Sequence, residues 1–585
     1  MQVIATAGHV DHGKSALLRA LTGMEPDRLP QERSRGLTIE LGFVWTTLPS
    51  GERVAFVDVP GHQRFVPTML AGVGPVPAVM FVVAANEGWS AQSSEHLRAL
   101  DALRVGDGLL VITKCDLAAP GAALAQARER LRGSMLEGVE ALSVSAHTRA
   151  GMDRLAGALD GLASRLPTPD PSAPVRLWVD RVFSVAGAGT VVTGTLREGT
   201  LRIGEELLAG GQIARIRGLQ TLKEPVQEVS GVARAAVNLR GVDRSAIARG
   251  QPLLTPHAWL HTATVDVSTA REIRAGQASL HIGAAAVAAR VRPLGKHSAR
   301  LTLAKELPLR IGDRALLRDP GQRVIDGVTV LDVRPPALRR RGAARRRAAE
   351  LAEGIPDAAR LLKRHGVLKR SDLTAMGAAP AMDPIVGDWV VDPEQWARLG
   401  QWLAVLVDEH ARAHPLEPGL PVEAARRSLG LPERTLVEAL ARPPLILAAG
   451  RLALRSGLPA PVAEAVEAIR AHLDATPLRA PDADWLVAHG IDRKVIAAAV
   501  RARELVDLGH GVVLLPDAPA RAADLLGRLP QPFTVSEARQ ALGTTRRVAV
   551  PLLAHLDRQG VTRRIDADHR ELRANHGDPP AKRRH

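Results

Sequence analysis

The 585-residue chain has no tyrosine, one cysteine and only 2% aromatic residues. A single thiol, Cys115, excludes an intrachain disulfide and any all-cysteine metal site. No apolar run approaches the roughly 18 residues of a membrane span. The first residues pass straight into an apolar strand pattern, with neither the basic nor the apolar segment of a secretory leader. The expectation is a cytoplasmic, monomeric protein with no membrane partner.

Negative charge is also scarce: 62 Asp and Glu stand against 77 Lys and Arg, a formal net charge of +15. The positive side is mostly arginine, which suits bidentate phosphate contacts. High-GC coding bias accounts for arginine in place of lysine better than for the net excess. Nucleic acid is therefore the favoured partner class.

The length calls for several domains. Residues 1–166 alternate apolar runs (Val54–Val57, Val79–Val83, Leu109–Ile112) with helical patterns, which predicts a mostly parallel sheet covered by helices. A Pro-rich stretch, Pro167–Pro174, reads as a linker. From there short β-branched strands with Gly-containing turns predict two small β-barrels, 175–256 and 257–336. The basic run 337–347 reads as a linker, a solvated helix start or an RNA-facing patch. Beyond it, helices recur with brief β-prone pieces at Trp389–Val391, Leu445–Leu447 and Gly511–Leu515. That period predicts tandem α+β winged helices at 348–392, 393–457, 458–517 and 518–577.

Gly8, His9, Val10, Asp11, His12, Gly13, Lys14 and Ser15 fit the phosphate-loop pattern G-x-x-x-x-G-K-[ST], between the strand pattern Val3–Ala5 and the helix pattern Ala16–Leu21. Lys14 should reach the β- and γ-phosphates, and the Ser15 hydroxyl should bind Mg2+. Asp58, at a strand end in Asp58-Val-Pro-Gly-His62, is a second candidate for Mg2+, and Thr38 a third. Gly61 would let the backbone approach a γ-phosphate. Thr113, Lys114 and Asp116 follow another strand. A carboxylate at Asp116 can accept from the N1 and N2 hydrogens of guanine, with Lys114 packed along the base. Ser145 and Ala146 would meet the guanine oxygen. The expected ligands are GTP and GDP with Mg2+. His9, His12 and His96 read as structural.

The wording of these motifs resembles the translational GTPases, with Thr113 where that family usually has Asn. The resemblance implies that His62 orients the attacking water as the catalytic residue, flanked by Val10 and Leu37 as a hydrophobic gate. We expect positioning and electrostatics there, not full proton abstraction. Thr22–Pro30, Val179–Phe183 and Gly187–Gly194 narrow the likeness to the bacterial selenocysteine-specific elongation factors, over roughly residues 1–335 and the tail. That family implies an aminoacyl pocket of an Asp-Arg pair and a second Arg, matched here by Asp180, Arg181 and Arg234. Two guanidiniums would favour an ionised selenol over a serine hydroxyl. The competing reading of those three residues is a surface salt bridge.

The last unit reads as strand (Phe533–Val535), helix, turn, recognition helix (Arg546–Asp557) and two-stranded wing, with Ser536 and Thr545 as possible caps. Val548, Leu552, Leu553 and Leu556 share one helical face. Arg546, Arg547, Arg563, Arg564 and Arg570 are candidate RNA contacts. The implied partners are selenocysteyl-tRNA, a selenoprotein mRNA hairpin and the ribosome, with GTP hydrolysis stimulated by the ribosome. Two alternatives stay open: a ribosome-associated GTPase that carries no aminoacyl-tRNA, and a regulator whose winged helices bind duplex DNA.

Overall fold

The computed structural model describes residues 1–26, 38, 40–61, 66–74, 76–185, 187, 189–319, 325–379, 382–414, 417, 419–454 and 460–573. It comprises two compact units, 1–383 and 384–585.

Unit 1 begins with β1 (Gln2–Gly8), α1 (Lys14–Thr22), β2 (Gly42–Thr47), β3 (Arg53–Asp58), α2 (Val66–Val73), β4 (Ala78–Ala84), α3 (Ala91–Leu103), β5 (Asp107–Thr113), α4 (Gly121–Leu131), β6 (Glu140–Ser143) and α5 (Met152–Arg165). The sheet order is β2-β3-β1-β4-β5-β6, parallel except for β2. Every residue of β4 is buried, because helices cover both sheet faces. Hence its sequence is an unbroken apolar run rather than an alternation. In α5 the buried residues Met152, Leu155, Leu159 and Leu162 recur at helical spacing. They pack with Leu142 and Val144 on one sheet face, where truncating a leucine costs about 2–5 kcal/mol. The strand order reverses around β1, and the parallel strands β1, β3 and β5 bring their carboxyl ends to one rim, where such sheets bind ligands.

Next come two all-β domains. The first is an eight-stranded antiparallel sheet wrapped around one apolar core. Its strand Ala233–Arg240 alternates strictly: Ala233, Ala235, Val237 and Leu239 are buried, while Arg234 takes the opposite face. The second closes as a six-stranded barrel, with the order His261–Thr269, Ser298–Pro308, Ala285–Gly295, Gly276–Ile282, Arg314–Arg318, Ile325–Asp332.

The basic run that follows is no free linker. Residues Ala343–Leu351 are helical, and Arg347 is 2% exposed. Its Nε donates to Asp266 Oδ2 at 2.7 Å, and its other nitrogens reach Asp332 and Glu350. Arg300 also binds Asp266, and Arg364 binds Asp332 at 2.7 Å. A basic pattern alone suggests solvation, but two buried barrel carboxylates draw one of these arginines inside. Helices Ala358–His365 and Arg370–Met376 complete the unit. The boundary between the units thus falls within the first expected winged helix, 348–392.

In unit 2 the helix Pro393–Ala413 precedes helices Val422–Leu429 and Arg434–Leu440 and a three-stranded sheet. The next segment has helices Ala460–Ala475, Ala483–Ala488 and Arg493–Arg501 and a ribbon of Val506–Asp507 with Val513–Leu514. Last come helix Ala518–Leu526, strand Phe533–Thr534, helices Val535–Ala541 and Arg546–Arg558, and the wing Thr562–Arg564 with His569–Leu572. Thr534, not Ser536, caps the helix Val535–Ala541, in a capping box with Glu537. Thr545 occupies the next cap position without a side-chain bond, and Pro551 lies inside that helix. Residues 460–573 share one apolar core, running from Val462 to Leu556. Among the described residues no helix is long and apolar enough to cross a membrane.

Candidate functional site

The expected phosphate loop joins β1 to α1. Gly8 has φ 131°, and a Cβ there would lie 2.2 Å from the Val82 carbonyl oxygen. The loop therefore leaves β1 pressed against β4, which only glycine permits. Lys14 is buried and curls back, its Nζ donating to the His9 carbonyl at 2.7 Å and the Gly8 carbonyl at 3.2 Å. Its ammonium thus stands inside the loop, beside the helix start that adds positive potential for phosphate. Gly61 closes on the same loop: a Cβ there would lie 2.4 Å from the Val10 nitrogen and 2.8 Å from Lys14 Nζ.

The three residues expected at a metal meet. Ser15 Oγ donates to Asp58 Oδ2 at 2.5 Å and lies 3.1 Å from Thr38 Oγ1. Asp58 is fully buried, and its second oxygen accepts from Thr6 at 2.8 Å. Two hydroxyls and a carboxylate are the hard oxygen donors that Mg2+ prefers.

Beyond the end of β5, at the position expected to read the base, Asp116 is exposed and its Oδ1 accepts from the buried Ser145 hydroxyl at 2.6 Å. That hydrogen bond holds the carboxylate below its usual pKa. Ala146 follows, half-buried. Lys114 takes a left-handed backbone (φ 56°), and its Nζ lies 2.8 Å from Glu87. Thr113 is buried and turns its hydroxyl on the phosphate loop, donating to the His12 carbonyl at 2.7 Å.

The histidines behind the loop are buttresses. His12 donates from Nδ1 to the Val82 carbonyl at 3.1 Å, and burial pushes its pKa down to about 4. His96 Nδ1 accepts the Gly8 amide at 3.1 Å, and complete burial pushes its pKa to about 3. Gln92 was not singled out by sequence, yet its Oε1 meets His9 Nδ1 and accepts from the Val10 amide. Nothing in the local pattern around Gln92 signals that task. Asp11 sits at the loop's outer turn with φ 61°, and Gly13 directly precedes α1. His62 and Leu37 lie outside the described residues.

A second cluster gathers where β2 meets the first β domain. Both terminal nitrogens of the Arg234 guanidinium bind Asp180, Nη2 reaching Oδ1 at 2.7 Å and Thr193 Oγ1 at 2.9 Å. Arg181 does not pair with Asp180. It donates to the Leu41 carbonyl at 2.7 Å and lies 3.2 Å from Glu40. Both guanidiniums stand over Phe43, Arg234 at 3.7 Å and Arg181 at 5.7 Å from the ring centroid. Beside them is a pocket of about 200 Å³ that Phe183 and Lys223 also line. Phe43 escaped sequence reading because an aromatic in a strand reads as core.

The tail arginines differ in what they offer. Arg546 is exposed at the recognition-helix start, and Arg563 pairs with Glu571 on the wing. Arg564 folds over the wing turn onto the carbonyls of Asp566 and Ala567, both at 2.9 Å. Arg547 donates to the carbonyls of Ala480 and Pro481, both at 2.8 Å. Arg570 is 8% exposed and its Nε donates to Asp557 at 3.0 Å. It fastens the wing to the recognition helix and presents little to solvent, unlike its reading as an RNA contact.

Comparison with known proteins supplies a context for both clusters. Residues 1–165 match the elongation factor Tu GTP-binding domain family, and 189–254 match elongation factor Tu domain 2. Residues 261–337 match the β-barrel domain of selenocysteine-specific elongation factors, and 524–571 the winged helix of elongation factor SelB. The selenocysteine-specific elongation factor of Desulfomicrobium baculatum is 40% identical over 270 residues, 45% of this chain and 43% of that protein. Its Escherichia coli K12 counterpart is 36% identical over 346 residues, 57% of this chain and 56% of that one. The aligned region thus spans about half the length of these relatives. Elongation factor Tu 2 of Streptomyces avermitilis is 30% identical over 43% of this chain and 72% of its own. Among solved structures, bacterial selenocysteine-specific elongation factor EF-Sec superposes with TM-score 0.77 and 25% identity, over 98% of this chain and 100% of that one. Methanococcus maripaludis SelB in complex with the GTP analogue GppNHp shares the fold over 57% of this chain and 79% of its own, with TM-score 0.51 and 24% identity.

Proposed function

We propose that this chain, which belongs to the elongation factor Tu-like translational GTPases, is of their selenocysteine-specific branch and carries selenocysteyl-tRNA to the ribosome at UGA codons, recruited by an mRNA hairpin. Guanine nucleotide sets the timing. Asp116, fixed by Ser145, selects the base, Lys14 and the loop amides hold the phosphates, and Gly61 reads the γ-phosphate through its backbone. Ser15, Thr38 and Asp58 would hold Mg2+, which neutralises charge on the phosphates. His62 positions the water that attacks the γ-phosphate.

The aminoacyl end is assigned to Asp180, Arg181 and Arg234. The observation that carries this reading is the pair of guanidiniums over Phe43. A selenol is ionised at neutral pH, and a selenolate gains charge-assisted bonds there that a seryl hydroxyl gains only weakly. Losing such a bond costs about 1.5–3 kcal/mol, which is about 10- to 150-fold in affinity. Asp180 holds Arg234 in place, and Glu40 and Leu41 hold Arg181. Arg546, Arg563 and Arg564 are proposed to contact the mRNA hairpin, with Arg570 and Arg547 bracing them.

The test compares selenocysteyl-tRNA with seryl-tRNA, each titrated against the full chain loaded with a non-hydrolysable GTP analogue. Preference for selenocysteyl-tRNA by about tenfold or more is expected. Equal binding, or none, would overturn the proposal in favour of a ribosome-associated GTPase without tRNA cargo.

A further inference from the structure

In a chain without tyrosine and with 2% aromatics, an exposed aromatic stack is unusual. The short helix Ala483–Ala488 carries one. The half-buried Trp485 packs against the core that runs from Val462 to Leu556. His489, exposed, lies on the indole with ring centroids 3.8 Å apart and planes 21° from parallel. Its Nδ1–H donates to the Trp485 carbonyl at 2.8 Å, which fixes the ring. His472 braces the indole from the side, at 4.7 Å. The layers run core, indole, imidazole, solvent, and the outermost layer has an open π-face.

The position of this stack gives it a use. Arg547, at the start of the recognition helix, binds the carbonyls of Ala480 and Pro481, and Thr544 donates its hydroxyl to the Leu478 carbonyl at 2.5 Å. The stack therefore begins four residues beyond the point where the recognition helix is anchored, within one continuous core. Asp482, exposed, is the helix cap, its carboxylate accepting from the Trp485 amide at 2.9 Å. Stacking takes any base, and phosphates are left to the neighbouring arginines.

We infer that His489, layered on Trp485, is a landing platform for one unpaired base of the RNA strand that flanks the hairpin. This rests on the proposed reading of the tail as a hairpin binder and extends the footprint from the last winged helix onto the one before it. Charge holds the stem, and stacking holds the strand that leaves it.

The experiment uses the full chain and an RNA hairpin taken from the message just downstream of an in-frame UGA. One probe is trimmed to stem and loop; the other keeps about six unpaired nucleotides on each side, one replaced by 2-aminopurine. The flanked probe should bind about five- to tenfold more tightly, with its 2-aminopurine fluorescence quenched. His489→Ala should abolish that gain and the quenching, while His489→Phe keeps both. Neither variant should change the salt dependence, whereas Arg546→Ala should lower the salt slope by about one. Equal affinity for the two probes overturns the platform, as does equal loss in His489→Ala and His489→Phe. If the trimmed hairpin itself does not bind, the reading of the tail falls, and the platform with it.

Discussion

The Thr113 hydroxyl donates to the His12 carbonyl oxygen across 2.7 Å, so the end of β5 holds the phosphate loop from behind. The family's usual Asn is replaced, yet a side-chain tie to the loop is present. Thr113→Val keeps the shape and strands the carbonyl. We expect about tenfold weaker GDP binding in a fluorescent-nucleotide titration. Thr113→Asn should stay within about twofold of the parent, since it can restore a donor.

His62→Ala should bind GTP normally and lose ribosome-stimulated hydrolysis by about two orders of magnitude. Single-turnover kinetics with and without ribosomes separate the two. Undiminished stimulated turnover would remove His62 from its assigned role.

Arg234→Met should weaken selenocysteyl-tRNA binding by about 10- to 100-fold and leave GTP binding unchanged. It also leaves the buried Asp180 with Thr193 alone, so a thermal melt must accompany the titration. Arg181→Met spares Asp180 and provides the cleaner comparison.

Acid should loosen the nucleotide-binding domain from within. His12 and His96 titrate at about 4 and about 3 in the fold, below the ordinary value near 6.5 that they regain on unfolding. Between those limits the unfolded chain binds more protons, so stability is complete above pH 6.5 and is lost as pH falls toward 3. His96→Asn should flatten that decline in denaturant titrations run from pH 7 to pH 4. An unchanged slope would show that His96 does not carry it.

Arg347→Met should lower the stability of the first unit by about 3 kcal/mol, because Asp266 and Asp332 each lose one buried partner. Glu350→Gln, at the exposed end of the same cluster, should be nearly neutral. Calorimetry on the two variants decides it.

The parts legible in sequence were those written within a few residues of a strand end. Lys14, Ser15, Asp58 and Asp116 each follow an apolar run, and the chain geometry sends them to one rim. Phe43 was illegible because its meaning comes from Arg234, which is 191 positions away and joins it only when the β domain folds against β2. The arginines failed in a different way. A run of like charges gives the number of guanidiniums but not their partners, so Arg347 and Arg570 read as exposed until Asp266, Asp332 and Asp557 appeared beside them.

Thr38 lies beside Ser15 at the proposed Mg2+ cluster, and Phe43 lies under the two guanidiniums of the proposed aminoacyl cluster. Five peptide steps separate them, at most about 17 Å of chain. Leu41 and Glu40, in between, already hold Arg181. The groups that hold Arg181 are thus near neighbours in sequence of Thr38, which makes this segment the short route between the two proposed sites. Such economy is brittle. A single residue inserted between Thr38 and Phe43 is expected to shift one cluster against the other, and the proposed nucleotide and tRNA sites would then lose their register.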